Sequence, residues 1–75
     1  MITIYSTPTC VYCKMAKEYF KNRGVQYQEF NVAEDDAARE EMVKKSGQLG
    51  VPVIDIEGEI FVGFSRGEIE KAISA

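Results

Sequence analysis

Ser6-Thr7-Pro8-Thr9-Cys10-Val11-Tyr12-Cys13-Lys14 contains both cysteines of the chain, two residues apart. To its left, Ile2-Thr3-Ile4-Tyr5 alternates apolar and polar residues, as a short strand does. Pro8 biases Thr7 toward extended backbone and turns the chain. To its right, Tyr12, Met15, Ala16, Tyr19 and Phe20 recur at helical spacing and read as core, and Gly24 supplies a C-terminal stop. The cysteines therefore sit on a strand-to-helix seam. With Cys10 at the N-cap, Cys13 falls about one turn further in on the same face. The unpaired amides of the first turn point at the outer sulfur and favour its thiolate, the nucleophilic form. A C-x-x-C in this setting reads as a dithiol that exchanges disulfides.

Three other readings carry less weight. A structural disulfide closing so short a loop constrains little of the unfolded chain. A closed zinc site needs about four Cys or His ligands, and the chain has two cysteines and no histidine. Two idle core cysteines would not be expected beside a proline and a helix start. The lack of histidine also removes Cys-His and Ser-His-Asp nucleophiles. Activation of Cys10 is left to the helix terminus and to lysine, with Lys14 adjacent and Tyr12, Thr9 and Pro8 flanking the sulfur.

Composition narrows the setting. Seventy-five residues with 45% apolar content suit one small domain, residues 1–75. No apolar run approaches the ~20 residues that cross a bilayer. The first residues lack a basic stretch followed by an apolar one, so the expected setting is the cytoplasm, where a C-x-x-C is more often catalytic than structural. The net charge of −3 argues against nucleic acid. Charge is nonetheless uneven: Lys14, Lys17, Lys21 and Arg23 make the first helix basic, offset by Glu18, while residues 34–41 are acidic.

Further along, Val25 to Val32 is β-branched and aromatic and reads as a second strand, completing a right-handed parallel crossover. A helix over Ala33 to Ser46 follows, with acids first, lysines last and a thin apolar face of Ala37, Ala38, Met42 and Val43. Glu40 with Lys44 and Glu41 with Lys45 stand at pairing distance along it. Val53–Ile56 and Glu59–Val62 form a hairpin about Glu57-Gly58. A last helix starts near Ser65, with Ser65 and Glu68 as a capping box and Ile69, Ala72 and Ile73 as its buried stripe.

The order βαβαββα, with the C-x-x-C at the head of the first helix, resembles the thioredoxin fold in its minimal glutaredoxin form. This is an α/β architecture with a four-stranded mixed sheet flanked by three helices. Three motifs carry the resemblance across the chain: Thr7 to Lys14, then Gly50-Val51-Pro52-Val53, then Val62-Gly63-Phe64-Ser65. It implies a small thiol–disulfide oxidoreductase in which Cys10 forms a mixed disulfide that Cys13 resolves, with no bound cofactor. It implies a cis Pro52 facing the cysteines, Val51 main chain able to pair with a thiol peptide such as glutathione, and a carboxylate site at Gly63, Phe64 and Ser65. It also implies a monomer whose electron donor is glutathione or thioredoxin reductase and whose substrate is a protein disulfide, with ribonucleotide reductase a candidate. Neither nucleic acid nor membrane is an expected partner. The alternative it offers is a dimer carrying an iron–sulfur cluster on Cys10 and glutathione. Two departures from the classical pattern stand out. Val11 replaces the proline of Cys-Pro-Tyr-Cys, and Gly63-Phe64-Ser65-Arg66 replaces a Gly-Gly-x-Asp type of turn. This turn is more similar to that of redoxins that serve ribonucleotide reductase, and to that of small glutaredoxin-like proteins of anaerobic bacteria.

Overall fold

The computed structural model describes residues 2–74. Its elements are β1 (Ile2–Ser6), α1 (Val11–Asn22), β2 (Tyr27–Asn31), α2 (Asp36–Ser46), β3 (Val53–Ile56), β4 (Glu59–Val62) and α3 (Arg66–Ser74). One sheet runs β2-β1-β3-β4. β1 pairs parallel with β2 and antiparallel with β3, which pairs antiparallel with β4. This is the mixed sheet that the resemblance implied.

β1 is central, so helices cover both of its faces. Ile2 and Ile4 face one core with Ala16, Tyr19 and Phe20 of α1, Ile54 and Ile56 of β3, and Ile69 of α3. Tyr5 faces the other, with Val32, Val53 and Ala38 and Met42 of α2. Two helices thus share one face and α2 covers the other alone, which is why α2 needs only a narrow apolar stripe. Phe20 is fully buried. Truncating it to Ala removes about 3–5 kcal/mol, a large share of the ~5–15 kcal/mol that holds a domain together.

The sequence periodicity names the right helix but not all of its inward side. Ala16, Tyr19 and Phe20 are buried, and Cys13 joins them. Tyr12 and Met15, read above as core, lie 60% and 45% exposed beside Val11. Two stripes about 100° apart fit the same apolar spacing, and the one containing Cys13, Ala16 and Phe20 meets the sheet.

The element ends follow local hydrogen bonding. At the end of α1 the Val25 amide donates to the Phe20 carbonyl and the Gly24 amide to that of Lys21, a Schellman closure with Gly24 at φ 67°. That closure occupies Val25, so β2 starts at Tyr27, not Val25. α2 starts at Asp36, not Ala33. The Asn31 carbonyl takes the amides of Glu34 and Asp35, the Asn31 side chain takes that of Ala33, and Asp35 caps the Ala38 amide. Glu41 pairs with Lys45 at 3.1 Å, whereas Glu40 and Lys44 form no ion pair among the described residues. In the β3–β4 turn, Glu57 and Gly58 both have positive φ (50° and 94°), the geometry of a tight hairpin. At α3 the Ser65 carbonyl accepts the Ile69 amide. The reciprocal side-chain bonds of a Ser65–Glu68 capping box are not formed among the described residues.

Candidate active site

Cys10 occupies the N-cap of α1 in extended backbone, and its sulfur accepts the Cys13 amide at 3.2 Å. A sulfur here takes the place of the usual capping oxygen and meets one of the orphan donors of the first turn. The local chain favours this arrangement, since the Cys10 amide closes back on the Thr7 carbonyl across Pro8. Both cysteines are free thiols, Cys10 partly exposed and Cys13 fully buried.

The two sulfurs are chemically unequal. Burial pushes the Cys13 thiol up, the hydrogen bond with Cys10 adds to that, and together they take it to about 12. The Thr7 backbone and the charge of Lys17 pull it back only in part. Cys13 is therefore a protonated, hidden sulfur one turn behind an accessible one.

Of the other predicted residues, the structure brings Val51 to the outer sulfur and ties Gly63 to the proline loop. The Val51–Pro52 bond is cis, and the Cys10 thiol donates to the Val51 carbonyl at 3.8 Å. Pro52 is buried. Its carbonyl accepts the Gly63 amide at 2.8 Å, which ties the end of β4 to the proline loop. Phe64 packs on Tyr19 with ring centroids 5.7 Å apart. Ser65, Tyr12, Lys14, Thr9 and Pro8 are exposed. Val11, at 67% exposure, Tyr12, Met15 and Val62 are apolar side chains left exposed.

One cluster escaped the sequence reading. Lys17, on α1 one turn beyond Cys13, pairs with Glu29 of β2 at 2.8 Å, and the buried Ser6 hydroxyl donates to the same carboxylate at 2.7 Å. Burial raises the Glu29 carboxyl, but the bonds from Lys17 and Ser6 outweigh it and hold it below its usual range. Lys17 in turn is raised, chiefly by Glu29. The sequence signal was present in the i, i+4 spacing of Cys13 and Lys17, but only the β1–β2 register brings Glu29 to them.

Comparison with known proteins agrees with this geometry. The glutaredoxin family model matches residues 2–62. An uncharacterized glutaredoxin-like 8.6 kDa protein in the rubredoxin operon of Clostridium pasteurianum is 55% identical over 73 residues, 97% of each chain. Glutaredoxin 3 of Escherichia coli K12 is 41% identical over 58 residues, covering 77% of this chain and 70% of its own. The solved structure of the glutaredoxin-like protein NrdH-redoxin from Escherichia coli, a protein with a thioredoxin-like activity profile, superposes with a TM-score of 0.81 at 30% identity, covering 93% of this chain and 91% of that one. Among the described residues no helix is long and apolar enough to cross a membrane. With a dithiol seated at a helix N-cap on this sheet, the chain belongs to the glutaredoxin family and is a small thiol–disulfide oxidoreductase of the thioredoxin fold.

Proposed function

We propose that Cys10 is the attacking sulfur and Cys13 the resolving one in the reduction of protein and low-molecular-weight disulfides. The observation that carries this assignment is the asymmetry of the pair. Cys10 is reachable and accepts the Cys13 amide, while Cys13 is sealed against the sheet. Cys10 thiolate attacks a substrate disulfide, one substrate sulfur leaves as thiol, and Cys10 holds the other in a mixed disulfide. Cys13 then attacks Cys10, the mixed bond breaks, and the dithiol has passed two electrons to the substrate.

Val51 and Pro52 are the backbone edge on which an extended thiol peptide pairs. The exposed Val11, Tyr12, Met15 and Val62 form an apolar rim for its flanking residues. The turn Gly63-Phe64-Ser65 and the start of α3 receive a carboxylate of glutathione when glutathione is the donor. Lys14 and the flanking Thr9 and Pro8 shape access to the sulfur. The chemistry needs two sulfurs and an electron donor, glutathione or a thioredoxin reductase, and no bound organic cofactor. A disulfide-bearing enzyme such as ribonucleotide reductase is a fitting protein substrate, and the reducing cytoplasm is a fitting compartment.

The test offers the oxidised protein glutathione with its reductase, and separately thioredoxin reductase, while NADPH consumption is followed on a small disulfide. Turnover with either donor that vanishes in Cys10→Ser supports the assignment. Turnover with glutathione also supports the Val51 and Gly63–Ser65 contacts, and turnover with thioredoxin reductase alone removes them. Full turnover of Cys10→Ser would overturn the reading.

A further inference from the structure

Resolution of the mixed disulfide poses a chemical problem that the outer sulfur does not. Cys13 must lose its proton, yet it is fully buried, and in the intermediate a substrate covers the Cys10 side. Another approach lies behind the active-site loop. A cleft of about 300 Å³ is lined by Ser6, Thr7, Pro8, Lys17, Glu29 and Asn31. Thr7 belongs to both places, since its carbonyl accepts the Cys10 amide and its backbone favours thiolate on Cys13. Lys17 lines the cleft and stands one helical turn from Cys13.

We propose that Lys17, held by Glu29 and Ser6, is the positioning residue for the resolving step, and that the cleft it lines is the exit for the Cys13 proton. The inference rests on the Cys10–Cys13 assignment above. The Lys17 ammonium favours thiolate on Cys13, and Glu29 with Ser6 keeps it on the cleft side of α1. The proton leaves to solvent base through the cleft. The Cys13 thiolate forms a bond to Cys10, the bond from Cys10 to the substrate breaks, and the departing substrate thiolate takes a proton from solvent.

Cys10 acts on Cys13 from the N-cap of α1 and Lys17 from within it, and Glu29 acts through Lys17 from β2. Lys21 acts on Glu29, and Tyr27 acts on Lys17. Both members of the ion pair are partly exposed, at 27% and 36% of their side chains, so solvent and salt moderate the effect.

The chromogenic aromatic disulfide dithiobis(nitrobenzoic acid) separates the two steps. The first coloured thiolate appears when Cys10 attacks, and the second when Cys13 expels the other from Cys10. In Lys17→Gln the second phase is expected to slow about tenfold at neutral pH and the first to change less than about twofold. Lys17→Arg is expected to restore the second phase. The gap between Lys17→Gln and the parent should narrow as salt approaches ~0.5 M, which a purely structural defect would not do. Glu29→Gln should slow the same phase by about threefold, because Lys17 loses its anchor. A second phase in Lys17→Gln equal to the parent's, or a slowing that Arg does not repair, would overturn the proposal while leaving the dithiol assignment intact. A first phase unchanged in Cys10→Ser would remove the assignment itself and the proposal with it.

Discussion

Two lysines in this molecule make nearly the same arrangement: a helix ammonium, a strand carboxylate and a hydroxyl from β1. Lys17 has Glu29 and Ser6. Lys45 of α2 has Asp55 of β3 at 2.8 Å and donates to the hydroxyl of the buried Tyr5 at 2.9 Å. Tyr5 in turn donates its hydroxyl proton to a hydrogen bond with Glu41 at 2.7 Å, and Glu41 closes the ring on Lys45. The difference lies in what each lysine faces. The Lys45 network faces Tyr5, a residue of the α2 core, and its chemistry ends there. The Lys17 pair faces a thiol that must change protonation state for the enzyme to turn over. Similar bonding thus serves the fold in one place and the reaction in the other, and the neighbour decides which.

The sharpest break of this comparison is at the sulfurs themselves. Cys13→Ser is expected to stop the dithiol cycle while Cys10 still captures a substrate sulfur. Mass spectrometry of that variant should show one stable adduct, and the parent protein should show none after the same exposure. On the other side of the sheet, Lys45→Met should leave both phases of the aromatic disulfide reaction within about twofold of the parent. It should cost about 1–2 kcal/mol of stability, read as a melting point lower by roughly 4–16 °C for a domain of this size.

Acid sharpens the comparison further. Burial raises the Asp55 carboxyl, but the bonds from Lys45 and the Gly58 amide outweigh it, so its folded value lies below its usual one. A carboxyl of that kind contributes stability above its unfolded value of ~3.9, and loses it as pH falls through the folded value. The stability gap between the parent and Asp55→Asn should therefore be full at neutral pH and close below about pH 4 in denaturant titrations. Lys45 shifts the opposite way, raised first by Asp55 and then by Tyr5. Its share is present below the unfolded lysine value of ~10.4 and is lost only as pH rises through its still higher folded value. The smallest expected effect is that of Tyr5→Phe. It removes one hydroxyl from a network that keeps its two carboxylates and should cost about 1 kcal/mol or less, with no change in exchange rate.

Much of the site is legible in the sequence because its signals are local. The N-cap position of Cys10 follows from a strand, Pro8 and a helical stripe in one run of residues. The cis Pro52 beside the cysteines comes from the resemblance, and the structure has that cis bond with Val51 bonded to the Cys10 thiol; the bond from the Gly63 amide to Pro52 is an addition of the structure. The features that are not legible depend on choices that local sequence leaves open. Periodicity does not say which of two adjacent stripes of α1 meets the sheet, which is why Tyr12 and Met15 fit an inward reading yet lie outside. A run of acids at residues 34–36 does not say which one caps α2, because Asn31 decides by taking the amides before it. The Lys17–Glu29 pair spans 12 positions and exists only because β2 pairs in parallel with β1, setting Glu29 opposite Ile4.

The most direct test of the contrast between the two lysines measures resolving rate and unfolding free energy on the same two variants, Lys17→Gln and Lys45→Met. The account predicts a crossed result. Lys17→Gln should lose about tenfold in the second phase with stability within about 0.5 kcal/mol of the parent. Lys45→Met should keep the rate and lose the stability. If rate and stability fall together in both variants, the two networks are equivalent props of the fold, and the assignment of Lys17 to the chemistry is wrong.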